Sequence, residues 1–211
     1  MTFGNIKMRG SPRPYPKAML SLAFVAVSVA GTVAQEVSDR ASTKSIARVV
    51  EQTYPISAAG IDGLRLAMQE AVLPIGQNRN AVASTAIEMI PEVTYDEAEG
   101  FCGVSGVTVD VRATVTLPEW REYQYGSAEE RAAWDRYVGA LRAHEDLHVA
   151  IGEEFAGNLS EVIAGLPTTT NCDALRVDVA RERQRVLDRH NTAQLALDEG
   201  VRRGQTPAAI R

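Results

Sequence analysis

Ser127 followed by Glu130 is a capping-box signature, and from there to about residue 165 the apolar residues recur at helical spacing. Tyr137, Leu141, His148, Phe155, Leu159 and Val162 make the stripe. A helix of this length constrains the chain more than any other stretch, because its apolar face needs partners along many turns. The same stretch contains His144-Glu145-Asp146-Leu147-His148. Residues four apart share a helix face, so His144 and His148 project side by side. Two imidazoles at that spacing suit one zinc ion, with Glu145 beside them as a carboxylate able to take a proton from water. His148 belongs to the apolar stripe, a position that also suits a buried, hydrogen-bonded histidine.

The residues 166–171, Leu-Pro-Thr-Thr-Thr-Asn, end this helix. A second helix is expected from about Asp173 to Arg203, with Leu175, Val179, Val186, His190, Ala193, Leu197 and Val201 as its stripe. Catalytic zinc sites take three protein ligands and leave one position for water. If the two helices run antiparallel about a loop centred near Thr169, His190 lies level with His148, and the three histidines of the chain face one interface. His190 is therefore the expected third ligand. Asp198 is the second choice, about 12 Å further along the helix axis. Glu154 and Glu161 point away from His148 on a continuing helix.

Before the long helix the pattern is that of strands. Val107, Val109, Val111, Ala113, Val115 and Leu117 alternate with Thr108, Asp110, Arg112, Thr114 and Thr116, and Pro118 is expected to end the strand. Residues 82–95 alternate less cleanly, with a bulge or an end expected at Pro91. Residues 53–57 read as a short edge strand, 60–72 as a helix, 74–80 as a turn-rich linker and 96–100 as a turn. One wet and one buried sheet face imply an α+β fold. The expected form is a small antiparallel sheet packed on the long helix and an antiparallel C-terminal helix.

Lys7, Arg9, Arg13 and Lys17 precede an apolar run over residues 18–34, and Thr32-Val33-Ala34 offers small residues for cleavage. Residues 1–34 are thus expected to be a secretory signal peptide or, alternatively, an N-terminal anchor. Without them 18 basic residues face 27 acidic ones, a net charge of −9. That balance excludes nucleic acid as a natural partner and gives the mature chain no attraction to anionic membranes. Residues 35–50 are expected to be a loose lead-in, 51–204 the functional domain and 205–211 a frayed tail. In an exported protein Cys102 and Cys172 pair as one disulfide.

Several pieces, in order, resemble one family. They are Tyr54-Pro55-Ile56-Ser57 leading to Gly60; Cys102 before a valine-rich strand ending Leu117-Pro118-Glu119-Trp120; Trp134-Asp135-Arg136; Leu141-Arg142-Ala143-His144-Glu145 with His148; Cys172; and Gln194 followed by Asp198 and Gly204. The chain from about Tyr54 to Gly204 resembles the predicted secreted zinc-dependent proteases, catalogued as domain of unknown function 922. The resemblance implies a zincin-like fold, zinc as cofactor and peptidase activity outside the cytoplasm, periplasmic or secreted. It departs at the end. The family's Tyr-Asp-x-x-Thr-x-His-Gly stands here as Leu197-Asp198-Glu199-Gly200-Val201-Arg202-Arg203-Gly204, and Arg203 cannot replace a metal-binding histidine.

The expected activity is hydrolysis of peptide bonds in a peptide or protein substrate, with Glu145 as general base and zinc on His144, His148 and His190. The substrate would lie along a sheet edge near residues 107–117, and Tyr123, Tyr125 or Tyr137 would stabilise the oxyanion. The alternative is a non-catalytic, zinc-stabilised or degenerate envelope protein with a binding or structural role.

Overall fold

The computed structural model describes residues 41–70, 73–74 and 80–202. They fall in the compact unit Ser38–Arg211; the other unit, Met1–Val37, holds the expected leader over 1–34 and lies outside the described residues. So do residues 75–79 of the expected linker, the 205–211 tail, and the side chains of Ile61, Val72 and Val201.

The valine-rich stretch forms β5 (Phe101–Trp120), the central strand of a three-stranded sheet. Val107, Val109, Val111, Ala113, Val115 and Leu117 are each no more than 3% exposed. β4 (Ser84–Ala98) pairs with it antiparallel through a two-residue turn in which Gly100 takes φ +73°, a value that favours glycine. The strand passes through Pro91 opposite Val109 without a break, and the register shift falls at Thr94/Tyr95 instead. The expectation of a bulge or end at Pro91 is corrected. β4 is an edge strand, where a proline whose nitrogen faces outward costs no ladder bond. Pro118 does not end β5 either. Pairing with β4 stops at Thr116, so Pro118 has a strand on one side only, where it lies opposite Tyr54.

The other neighbour of β5 is β1 (Ser42–Ile56), which runs parallel to it, so the sheet is mixed rather than antiparallel. β1 takes in residues 42–50, expected as lead-in, and extends the expected edge strand at 53–57. Its sequence lacks apolar alternation and most of its side chains are exposed. Backbone pairing with a buried strand holds it, helped on the outer face by Arg48–Asp110 at 2.8 Å and Gln52 Nε2 donating to Thr116 Oγ1 at 2.8 Å. Helix α1 (Gly60–Glu70) follows, and its Leu64 packs with Ile56, Trp120 and Trp134. Two short strands, β2 (Leu73–Pro74) and β3 (Asn80–Ala81), pair where a linker was expected.

Helix α2 (Ala128–Ala164) starts at the Ser127–Glu130 capping box and stops at Gly165, as its local signals dictate. It buries two faces, not one. His148, Phe155 and Leu159 belong to the stripe read from sequence. A second row, Glu145, Val149, Gly152, Ala156 and Ile163, includes residues that pack on the sheet valines. Gly152 permits close approach to the sheet, since a Cβ there would lie 2.8 Å from Ile87 Cδ1.

Helix α3 (Cys172–Arg202) returns antiparallel to α2, with Asn158 bonded to Arg189, Phe155 against His190 and His144 beside Asp198. Cys102 and Cys172 are bonded, with Cα atoms 5.2 Å apart, which ties the start of β5 to the start of α3. Among the described residues no helix is long and apolar enough to cross a membrane.

Candidate metal centre

The helical period sends the two parts of the His-Glu-x-x-His sequence to different neighbours. His144 and His148 face α3. Glu145, one residue and about 100° further round the helix, faces the sheet. There it is 3% exposed, and Thr85 Oγ1 of β4 donates a 2.7 Å hydrogen bond to its Oε2. Thr85 stands in the same row of β4 as Ile87 and Met89. A hydroxyl in a core-facing row was the sequence signal that this carboxylate has a partner.

His148 Nε2 lies 3.2 Å from His144 Nε2 and 3.0 Å from Asp198 Oδ1, and the His144–Asp198 separation is 3.3 Å. These three residues form the metal-capable cluster among the described residues. Asp198, the second choice from sequence, is thus beside the histidine pair. His190, the expected third ligand, is not. Pairing His148 with Gln194 puts the midpoint of the helical hairpin at residue 171, not 169. A shift of two in the midpoint moves the facing residue by four, about one turn of helix. Asp198 also occupies the aspartate position of the Tyr-Asp-x-x-Thr-x-His-Gly pattern, so the resemblance held a pointer that the spacing argument lacked.

The three atoms make a near-equilateral triangle. A tetrahedral ion with bonds of about 2.0–2.1 Å keeps its ligand atoms about 3.3 Å apart, so the triangle matches one face of such a tetrahedron. The neutral form of His148 suits a cation. His148 Nδ1 is in a short hydrogen bond with Gln194 Oε1, an acceptor, so Nδ1 carries a proton, and in the neutral ring Nε2 presents a lone pair. In that form the lone pair faces a carboxylate oxygen at 3.0 Å. Two acceptors repel at this distance unless a positive charge lies between them. A proton serves one such pair, whereas a metal ion serves all three atoms. The side chains of His144, His148 and Asp198 are 23%, 11% and 37% exposed, so the cluster opens to solvent on the Asp198 side.

His190 is buried and neutral. Burial is the main cause that holds its pKa below the usual histidine value; a hydrogen bond with Asn191 opposes this and the nearby His148 adds to it. Its Nε2 lies 2.8 Å from Gln194 Nε2, and its ring meets Phe155 edge-on at 5.6 Å. Glu154 and Glu161 are exposed, as expected of residues pointing away from the cluster. The tyrosines offered for an oxyanion sit elsewhere. Tyr123 donates to Asp135, Tyr125 is 81% exposed, and Tyr137 is half-buried, about 10 Å before His144 along the helix axis. The sheet edge expected near residues 107–117 is not an edge, because β5 has a strand on each side.

A family model described as "Bacterial protein of unknown function (DUF922)" matches residues 51–204. No curated protein and no solved structure matches the chain.

Proposed function

The chain belongs to the DUF922 family of bacterial proteins of unknown function, and for it we propose a zinc-dependent metallopeptidase with a zincin-like arrangement, acting in the periplasm or outside the cell. The observation that carries the reading is the triangle of His144 Nε2, His148 Nε2 and Asp198 Oδ1, three possible ligand atoms 3.0–3.3 Å apart. Two imidazoles and one carboxylate form a donor set that zinc takes in hydrolytic sites, and zinc there supplies a Lewis acid and acidifies water. Glu145 accepts the proton of the attacking water and delivers it to the leaving amine. Thr85 holds one oxygen of that carboxylate, which limits the orientations Glu145 adopts. The substrate runs in extended form along β4, the sheet edge that carries Thr85, by strand addition. The Cys102–Cys172 bond suits an oxidising compartment such as the bacterial envelope.

Burial of Glu145 at 3% exposure favours a second reading, a zinc-stabilised binding or structural module in which this carboxylate only braces β4 against α2. The two separate in one set of measurements. Purified protein is loaded with zinc, analysed for metal and incubated with a peptide library, alongside Glu145→Gln and Asp198→Ala. The peptidase reading expects stoichiometric zinc in the wild type and in Glu145→Gln, weakened zinc binding in Asp198→Ala, and hydrolysis in the wild type alone. Undiminished turnover by Glu145→Gln removes the mechanism. Zinc without any hydrolysis in the wild type leaves the second reading.

A further inference from the structure

Gln194 makes three contacts that are mutually consistent in only one orientation of its amide. Its Oε1 meets His148 Nδ1. Its Nε2 donates to the His148 backbone carbonyl at 3.0 Å and lies 2.8 Å from His190 Nε2. Turning the amide over would set Oε1 against that carbonyl, acceptor against acceptor. The amide NH2 therefore faces His190, whose Nε2 accepts, and its oxygen is left for the His148 Nδ1 proton. Each partner is anchored. His190 is 6% exposed with its ring against Phe155, and His148 is 9% exposed.

We propose that Gln194, set by His190 and by the His148 carbonyl, is a positioning residue that fixes His148 as its Nδ1–H tautomer and aims Nε2 at the cluster. His190, expected from sequence as a ligand, acts at one remove: its lone pair fixes the amide and the amide fixes His148. Residues that orient a ligating imidazole in this way tune metal affinity by about 10–100-fold. That second consequence rests on the metal-centre reading; the tautomer does not.

Long-range 1H–15N correlation spectra of the imidazoles in metal-free protein, recorded above the pH range of histidine titration, read the tautomer directly. Zinc affinity is measured on the same samples by competition with a chromophoric chelator. Wild type is expected to show His148 protonated at Nδ1. Gln194→Met keeps the length of the side chain and loses its polar ends, so His148 is expected to become a tautomer mixture and zinc affinity to fall about 10–100-fold. His190→Phe keeps a ring against Phe155 without the lone pair, and an intermediate loss is expected. An Nε2–H tautomer in the wild type overturns the proposal, as does a Gln194→Met protein with unchanged tautomer and affinity. A wild type that binds no zinc but shows Nδ1–H sinks the metal-centre reading and leaves Gln194 as the group that sets the tautomer.

Discussion

Thr85→Val tests how Glu145 is held. The substitution exchanges a hydroxyl for a methyl at nearly constant volume, and valine suits a strand at least as well as threonine. What it removes is the 2.7 Å hydrogen bond to a carboxylate that is 3% exposed. A hydrogen bond to a charged group contributes about 1.5–3 kcal/mol, and a buried acceptor left short of a partner bears the loss in full. For a domain of this size that corresponds to a fall in Tm of about 3–12 °C. Thr85→Ser keeps the donor and should stay within about 1 kcal/mol of the wild type, the worth of the lost methyl. In a Glu145→Gln background the acceptor is neutral, so the same Thr85→Val change should cost about 0.5–1.5 kcal/mol. Urea denaturation of the five proteins measures each step, and on the peptidase reading hydrolysis by Thr85→Val should fall because Glu145 is less well aimed. A Thr85→Val protein within about 0.5 kcal/mol of wild type refutes the claim that Thr85 secures the carboxylate.

Other outcomes follow from the same packing. Replacing Cys102 and Cys172 together by alanine opens a covalent link across 70 residues and should cost about 4 kcal/mol, read as a lower urea midpoint. Gly152→Ala places a Cβ 2.8 Å from Ile87 Cδ1 and should destabilise by about 1–3 kcal/mol, less the roughly 1 kcal/mol that alanine gains in a helix. Adding Ile87→Val, which removes that Cδ1, should recover part of the loss; additive losses would show that the two do not meet. His190 has a folded pKa below its ordinary value of 6.5, so its contribution is whole above that pH. It is lost as pH falls further, because the unfolded chain binds the proton first. In metal-free protein, His190→Phe should flatten the stability slope just below pH 6.5, and an unchanged slope would place that titration elsewhere.

The residues of α2 carried their own limits. Ser127 and Glu130 close the capping box within one turn, and the apolar spacing continues to the helix end near Gly165. The alternation of β5 was as plain, because every second residue from Val107 to Leu117 enters the core. His144 and His148 were legible as a pair for the same reason: one turn of one helix sets their separation. β1 was not legible. Ser42 to Gln52 has no apolar period, and only β5 alongside makes it a strand. The partner of Glu145 and the third member of the cluster were hidden in the same way. Local spacing names residues on one element, where the backbone period is constant. Whether His190 or Asp198 meets His148 depends on how a seven-residue connection, 165–171, seats α3 against α2. A shift of two residues in the midpoint of that turn moves the partner by a whole helical turn. Sequence determined which side chains α2 offers; packing of α2 between the sheet and α3 decided what they face.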